Sequence, residues 1–179
     1  MNITKKSFWA LIVTLSLAMV SCKDAIDSDL QWRSQSEQRF DKYKNDSQYK
    51  RVSTSGILGD NFVMMKYIKK GEGKVHPIYT SRVLLHYQQY ILGIENPIAS
   101  NYSSEEPDRF SLNRGADGKN LPLGMRIALM NMVEGDEAEV IIPWYLGYGE
   151  NSKPLGIMNF SALRYIVRLD KIIPENDPD

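Results

Sequence analysis

One short amphipathic helix set among strands poses the folding problem for this chain. Met125, Ala128, Leu129 and Met132 recur at intervals of three and four, which lines one helix face with apolar side chains, and Gly135 is placed to stop the helix just beyond. A helix cannot bury that stripe by itself. The flanking segments read as strands: residues 61–68, residues 79–92 with Val83, Leu85 and Tyr87 at period two, and residues 137–142 between Gly135-Asp136 and Pro143. In the closing segment Leu163, Tyr165, Val167 and Leu169 alternate with Arg164, Ile166 and Arg168, so one face suits a core and the other largely suits water. An antiparallel sheet with the helix laid across its apolar face buries both, which makes the fold class α+β.

The amino terminus has a different character. Lys5 and Lys6 precede an apolar run from Phe8 to Val20 that ends in Ser21-Cys22, the layout of an export signal and too short for a permanent membrane span. Leu17-Ala18-Met19-Val20-Ser21-Cys22 resembles the lipobox, where signal peptidase II cleaves before a cysteine whose thiol receives diacylglycerol; Met19 stands where leucine is usual. Cys22 is the sole cysteine, so no intrachain disulfide can form. The expectation is therefore a signal peptide over 1–21 and a lipid on Cys22 that holds the chain at the membrane of the cell envelope. Lys23-Asp24 resembles the signal that sends some Bacteroidetes lipoproteins to the cell surface, the alternative being the periplasmic face of the outer membrane.

Residues 22–58 are rich in Asp, Ser, Gln, Lys and Arg, with sparse apolar positions at Leu30, Trp32, Phe40, Tyr43 and Tyr49. They read as an acylated polar tether, partly helical because Phe40 and Tyr43 stand one turn apart. One folded domain over 59–173 and a flexible tail over 174–179 follow. Lysine plus arginine and aspartate plus glutamate both total 22, without a long basic run, which argues against nucleic-acid binding. With His76 and His86 as the only histidines and one cysteine, no nitrogen- or sulfur-ligated metal site and no cofactor is expected.

Val140-Ile141-Ile142-Pro143-Trp144-Tyr145-Leu146-Gly147-Tyr148-Gly149-Glu150 resembles the signature of FKBP-type peptidyl-prolyl isomerases, in which a strand ending Ile-Pro leads into Leu-Ala-Tyr-Gly. Val83-Leu84-Leu85-His86-Tyr87 resembles that family's Val-x-Val-x-Tyr strand, Met132-Val133-Glu134-Gly135-Asp136 its Met-x-x-Gly-Asp/Glu turn, and 160–169 its closing strand. The resemblance covers residues 60–173. It implies five or six antiparallel strands wrapped around the helix and a cleft that takes up a proline side chain. It also implies a monomeric folding helper acting on proline-containing segments of exported or surface proteins.

Carried over on these segments, Tyr87 and Tyr148 match the family's catalytic tyrosines, the hydroxyl of Tyr148 reaching a bound carbonyl. Leu121 matches an aliphatic wall before the helix, Ile157 falls in a loop that offers a backbone amide, and Tyr165 replaces a phenylalanine. Tyr87 and Tyr165 also alternate inward on strands, as ordinary core aromatics would. Other positions depart from the pattern. Met125 stands for the tryptophan at the cleft floor, and Ile98-Ala99 for a Phe-Asp pair whose aspartate orients the cleft. Asp108 stands for an aromatic wall, and Pro122 for an aliphatic residue whose amide holds ligand. Proline has no such hydrogen. Two functions fit: a membrane-tethered isomerase of weakened activity, or a non-catalytic peptide- or partner-binding lipoprotein that uses the same cleft.

Overall fold

The computed structural model describes residues 28–54, 61–113, 121–150 and 156–174. The signal segment 1–21, Cys22 and the tail 175–179 lie outside the described residues. A helix over 28–44 (α1) leads into seven strands: β1 (Lys50–Ser53), β2 (Phe62–Lys69), β3 (Arg82–Ile91), β4 (Ala99–Ser100), β5 (Asp108–Ser111), β6 (Glu137–Ile142) and β7 (Leu163–Ile173). They form one antiparallel sheet in the order β1-β2-β6-β7-β3-β4, with β5 also paired to β3. A second helix, α2 (Leu123–Leu129), crosses it between β5 and β6.

The period-two patterns become the sheet's inner face. On β7 Leu163, Tyr165, Val167 and Leu169 are buried while the residues between them are half-buried. Beneath that face α2 is buried on nearly every side, from Gly124 to Leu129. Even Arg126 lies inside, its guanidinium donating twice to the Leu121 carbonyl at 3.0 and 2.8 Å. The helix ends earlier than its stripe. Residues 130–132 continue as turns, and Gly135, at φ 86°, makes the tight turn into β6 instead of capping α2.

Seven strands replace the five or six expected, and the sheet begins before residue 59. β1 comes from the segment read as a tether, and α1 packs on the domain instead of standing off it. Along α1 the half-buried or buried positions Trp32, Ser36, Phe40 and Tyr43 recur one turn apart. Phe40 is buried with Met64, Leu92, Ile141 and Ala162, a second small core on the sheet's other face. Val140 and Ile142 point to α2 while Ile141 between them points to α1. The unbroken Val-Ile-Ile run of β6 thus reflects a strand covered on both sides.

Gly124 sets how deeply α2 sinks. A Cβ there would lie 2.3 Å from Ile142 Cγ2 and 3.1 Å from Val63 Cγ1. Gly124→Ala improves helix propensity by about 1 kcal/mol, but overpacking a full core costs about 1–3 kcal/mol. Because the obstructing atom is a methyl on a stiff β-branched side chain, the steric cost wins. The expected result is a lower denaturant midpoint with an unchanged slope, measured by chemical unfolding.

Candidate functional site

Where the N-terminus of α2 meets β3, β5 and β7, the core opens into a cleft of about 150 Å³. Strand β3 contributes Leu85, Tyr87 and Gln89, three residues at period two on one face. Across the ladder Tyr87 faces Val167 and Gln89 faces Tyr165, both of which also line the cleft. On the other side Ala99 of β4 is the partner of Gln89, and Phe110 of β5 closes the wall. Leu121, Pro122 and Met125 form the helix side, with Met125 only 1% exposed.

The walls are aromatic. Tyr87 meets Phe110 edge-on at 5.7 Å between ring centroids and lies 6.3 Å from Tyr165. Burial pushes the Tyr165 hydroxyl well above its ordinary pKa, helped by Tyr148 and Tyr87. Burial, then the nearby Asp108 carboxylate, raises Tyr87 as well. Both rings therefore keep their protons across the physiological range, so their hydroxyls can act as hydrogen-bond donors or acceptors and not as bases. The Tyr148 hydroxyl accepts a hydrogen bond from Gln89 Nε2 at 3.0 Å and stands 3.5 Å from that of Tyr165.

Two devices hold these side chains. β4 and β5 pair with different stretches of β3, and Asn101 bridges the gap between them: its Oδ1 accepts from the Tyr87 amide at 2.7 Å and its Nδ2 donates to the Leu85 carbonyl at 2.9 Å. Tyr148 follows a single 3₁₀ turn, Trp144–Leu146, entered through Pro143. The Gly147 and Gly149 amides both return to the Trp144 carbonyl at 3.1 Å. Trp144 is in turn fastened to α1. Its indole donates to Glu37 at 3.0 Å, and Arg33 lies 4.7 Å from its ring centroid. Phe160, at φ 58°, packs edge-on against the same indole at 5.0 Å.

Of the residues singled out from the sequence, Tyr87, Leu121, Met125, Tyr148 and Tyr165 come together in this one cleft. Ile98 does not. Pairing with β3 turns Ala99 toward the cleft, so its neighbour Ile98 faces away and is 37% exposed. Ile157 is buried but is not among the lining residues; it follows the Gly156 turn, at φ 65°, and the Ser161 hydroxyl folds the segment back by donating to the Met158 carbonyl at 2.7 Å. Nor is Asp108 the aromatic wall's counterpart, since Phe110, two residues later on the same strand, forms that wall. Gln89, Phe110 and Asn101 were not singled out. Gln89 was reachable, because the alternation that placed Tyr87 inward continues to it.

Pro122 begins α2 and lines the cleft without an amide hydrogen; its carbonyl accepts from the Met125 and Arg126 amides. Among the described residues no group of three or more histidine, cysteine, aspartate or glutamate side chains could hold a metal.

Comparison with known proteins finds that residues 73–170 match the family model for FKBP-type peptidyl-prolyl cis-trans isomerase. Among solved structures, FkpA from Escherichia coli aligns with 97% of this chain and 75% of its own, at 20% identity and a TM-score of 0.70. A peptidyl-prolyl cis-trans isomerase from Pseudomonas syringae pv. tomato aligns with 83% of this chain and 96% of its own, at 21% identity and a TM-score of 0.63. At such identities these likenesses concern the fold. No curated protein sequence matches the chain significantly. The family model spans more than half of the 179 residues and takes in every residue that lines the cleft, from Leu85 to Val167, and on that match the chain belongs to the FKBP-type peptidyl-prolyl cis-trans isomerase family.

Proposed function

We propose that this chain catalyses cis–trans isomerisation of X-Pro bonds in exported proteins, with reduced activity, while anchored to a membrane through lipid on Cys22. The observation that carries the catalytic part is the convergence of Tyr148 with Tyr87, Met125 and Tyr165 on one apolar cleft. Rotation about the peptide bond is opposed by amide resonance, a barrier of about 18–20 kcal/mol. A catalyst of this step needs neither nucleophile nor base. It has to favour the twisted amide over the planar one, by taking the proline ring out of water and giving the substrate carbonyl a donor. Met125 supplies the dry floor, the aromatic wall holds the ring, and the Tyr148 hydroxyl is the donor.

Reduced activity follows from Pro122 and Met125. Pro122 sits on the rim with no amide to offer, and a methionine floor is less flat than an aromatic one. Loss of one preorganised donor costs about 2.7–4 kcal/mol where catalysis is mainly electrostatic, and less in isomerisation, where no full charge develops. The same two residues favour a second reading, a peptide-holding module without turnover. Exchange NMR on a proline tetrapeptide separates the two. Isomerisation accelerated by micromolar protein, and slowed about fivefold or more by Tyr148→Phe through loss of one hydrogen bond, supports catalysis. Binding without acceleration supports the holding module.

Anchoring is supported by the charged start, apolar run and Ser21-Cys22 boundary of the amino terminus. Metabolic labelling with a fatty-acid analogue checks it. The label is expected on the wild-type protein in the membrane fraction and lost in Cys22→Ser; equal labelling of the two would refute the anchor.

A further inference from the structure

We infer that Gln89 is a positioning residue that commits the Tyr148 hydroxyl to donate its proton into the cleft, an inference that deepens the isomerase reading and rests on it for its catalytic consequence. Gln89 is 3% exposed and sits in the sheet between Ala99 on one side and Tyr165 on the other. Ala99 is small, which leaves room for the longer glutamine side chain along the cleft wall. A buried amide is costly unless it is hydrogen-bonded, and the one here points its Nε2 at Tyr148 Oη, 3.0 Å away.

The direction of that bond matters. An amide N–H can only donate, so the phenol oxygen of Tyr148 is the acceptor and its own hydrogen has to go elsewhere. Among the described residues the other polar neighbour, Tyr165 Oη, lies at 3.5 Å, the outer limit of a hydrogen bond. A carbonyl oxygen entering the cleft is the better acceptor. A carboxylate at the same place would do the opposite, accepting the phenolic hydrogen and withdrawing it from any ligand. With alanine at 99 beside it, the neutral amide of Gln89 is the donor that sets the polarity of the tyrosine.

Gln89→Glu tests this by reversing the polarity while nearly keeping the shape. Ionised, Glu at 89 accepts from Tyr148; protonated, it can donate as the amide does. Burial raises a carboxyl pKa, so the variant's rate of isomerising Ala-Leu-Pro-Phe in protease-free exchange NMR should rise as the pH falls from about 8 to about 4, through and above the ordinary glutamate value of about 4.3. At the alkaline end it should lie about fivefold to tenfold below wild type, the size of one hydrogen bond, while the wild-type rate stays level. A level profile for the variant, at any rate, overturns the proposal, because a merely structural role carries no proton dependence. Should Gln89→Glu fail to fold, the near-isosteric Gln89→Met replaces it: a loss of about fivefold in turnover with peptide affinity unchanged supports the proposal, and a wild-type turnover overturns it. A substrate-free arm keeps this separate from the isomerase reading. The Gln89 side-chain amide protons should exchange more slowly than those of the exposed Gln48 and lose that protection in Tyr148→Phe. Fast exchange unaffected by Tyr148→Phe overturns the assignment, whereas an inactive wild type with protected Gln89 protons overturns only the isomerase reading.

Discussion

Ile142 and Val63 occupy the space into which a side chain at position 124 would project, and the closeness this allows between α2 and the sheet sets the geometry above it. With the helix drawn down onto β6 and β2, the next residue, Met125, is pressed into the core as the cleft floor, and Leu121 and Pro122 become its rim. Nearly every side of α2 is covered, and Tyr87 and Tyr165 from β3 and β7 line the opening beside it. Depth of the helix and existence of the cleft are therefore one constraint seen at two places.

The long elements were legible because burial imposes a period on them. β6 runs over Glu137–Ile142, where the apolar run and its flanking Gly135 and Pro143 put it, and the alternation of β7 matches its burial residue by residue. Short elements carry no such period. β4 has two residues, and β1, Lys-Arg-Val-Ser, is an exposed edge strand whose polarity resembles that of a linker. The docking of α1 was hidden for another reason: only Phe40 on its inner face is a fully buried apolar residue, and much of the contact is polar. The Ser36 hydroxyl accepts from the Ala162 amide at 2.7 Å, the Trp32 indole donates to Ser161 at 3.1 Å, and Arg39 donates to the Leu92 carbonyl at 3.1 Å. Within the cleft, errors of one or two residues decided the outcome. Where β4 and β5 begin determines that Ala99 faces inward and Ile98 outward, and that Phe110 forms the wall in place of Asp108.

What the cleft lacks in flat surface at its floor it keeps in its walls. Tyr87, Phe110 and Tyr165 form a contiguous aromatic side, and the Tyr165 hydroxyl adds polarity where it approaches that of Tyr148, 3.5 Å away. The turn that carries Tyr148 is braced from outside the cleft, by Glu37 and Arg33 of α1 against Trp144. The helix on one face of the sheet therefore steadies a side chain that belongs to a site on the other.

That brace makes α1 part of the site's framework: a chain cut back to its strands and α2 would lose the α1 partners of Trp144, and with them part of what holds the turn that carries Tyr148.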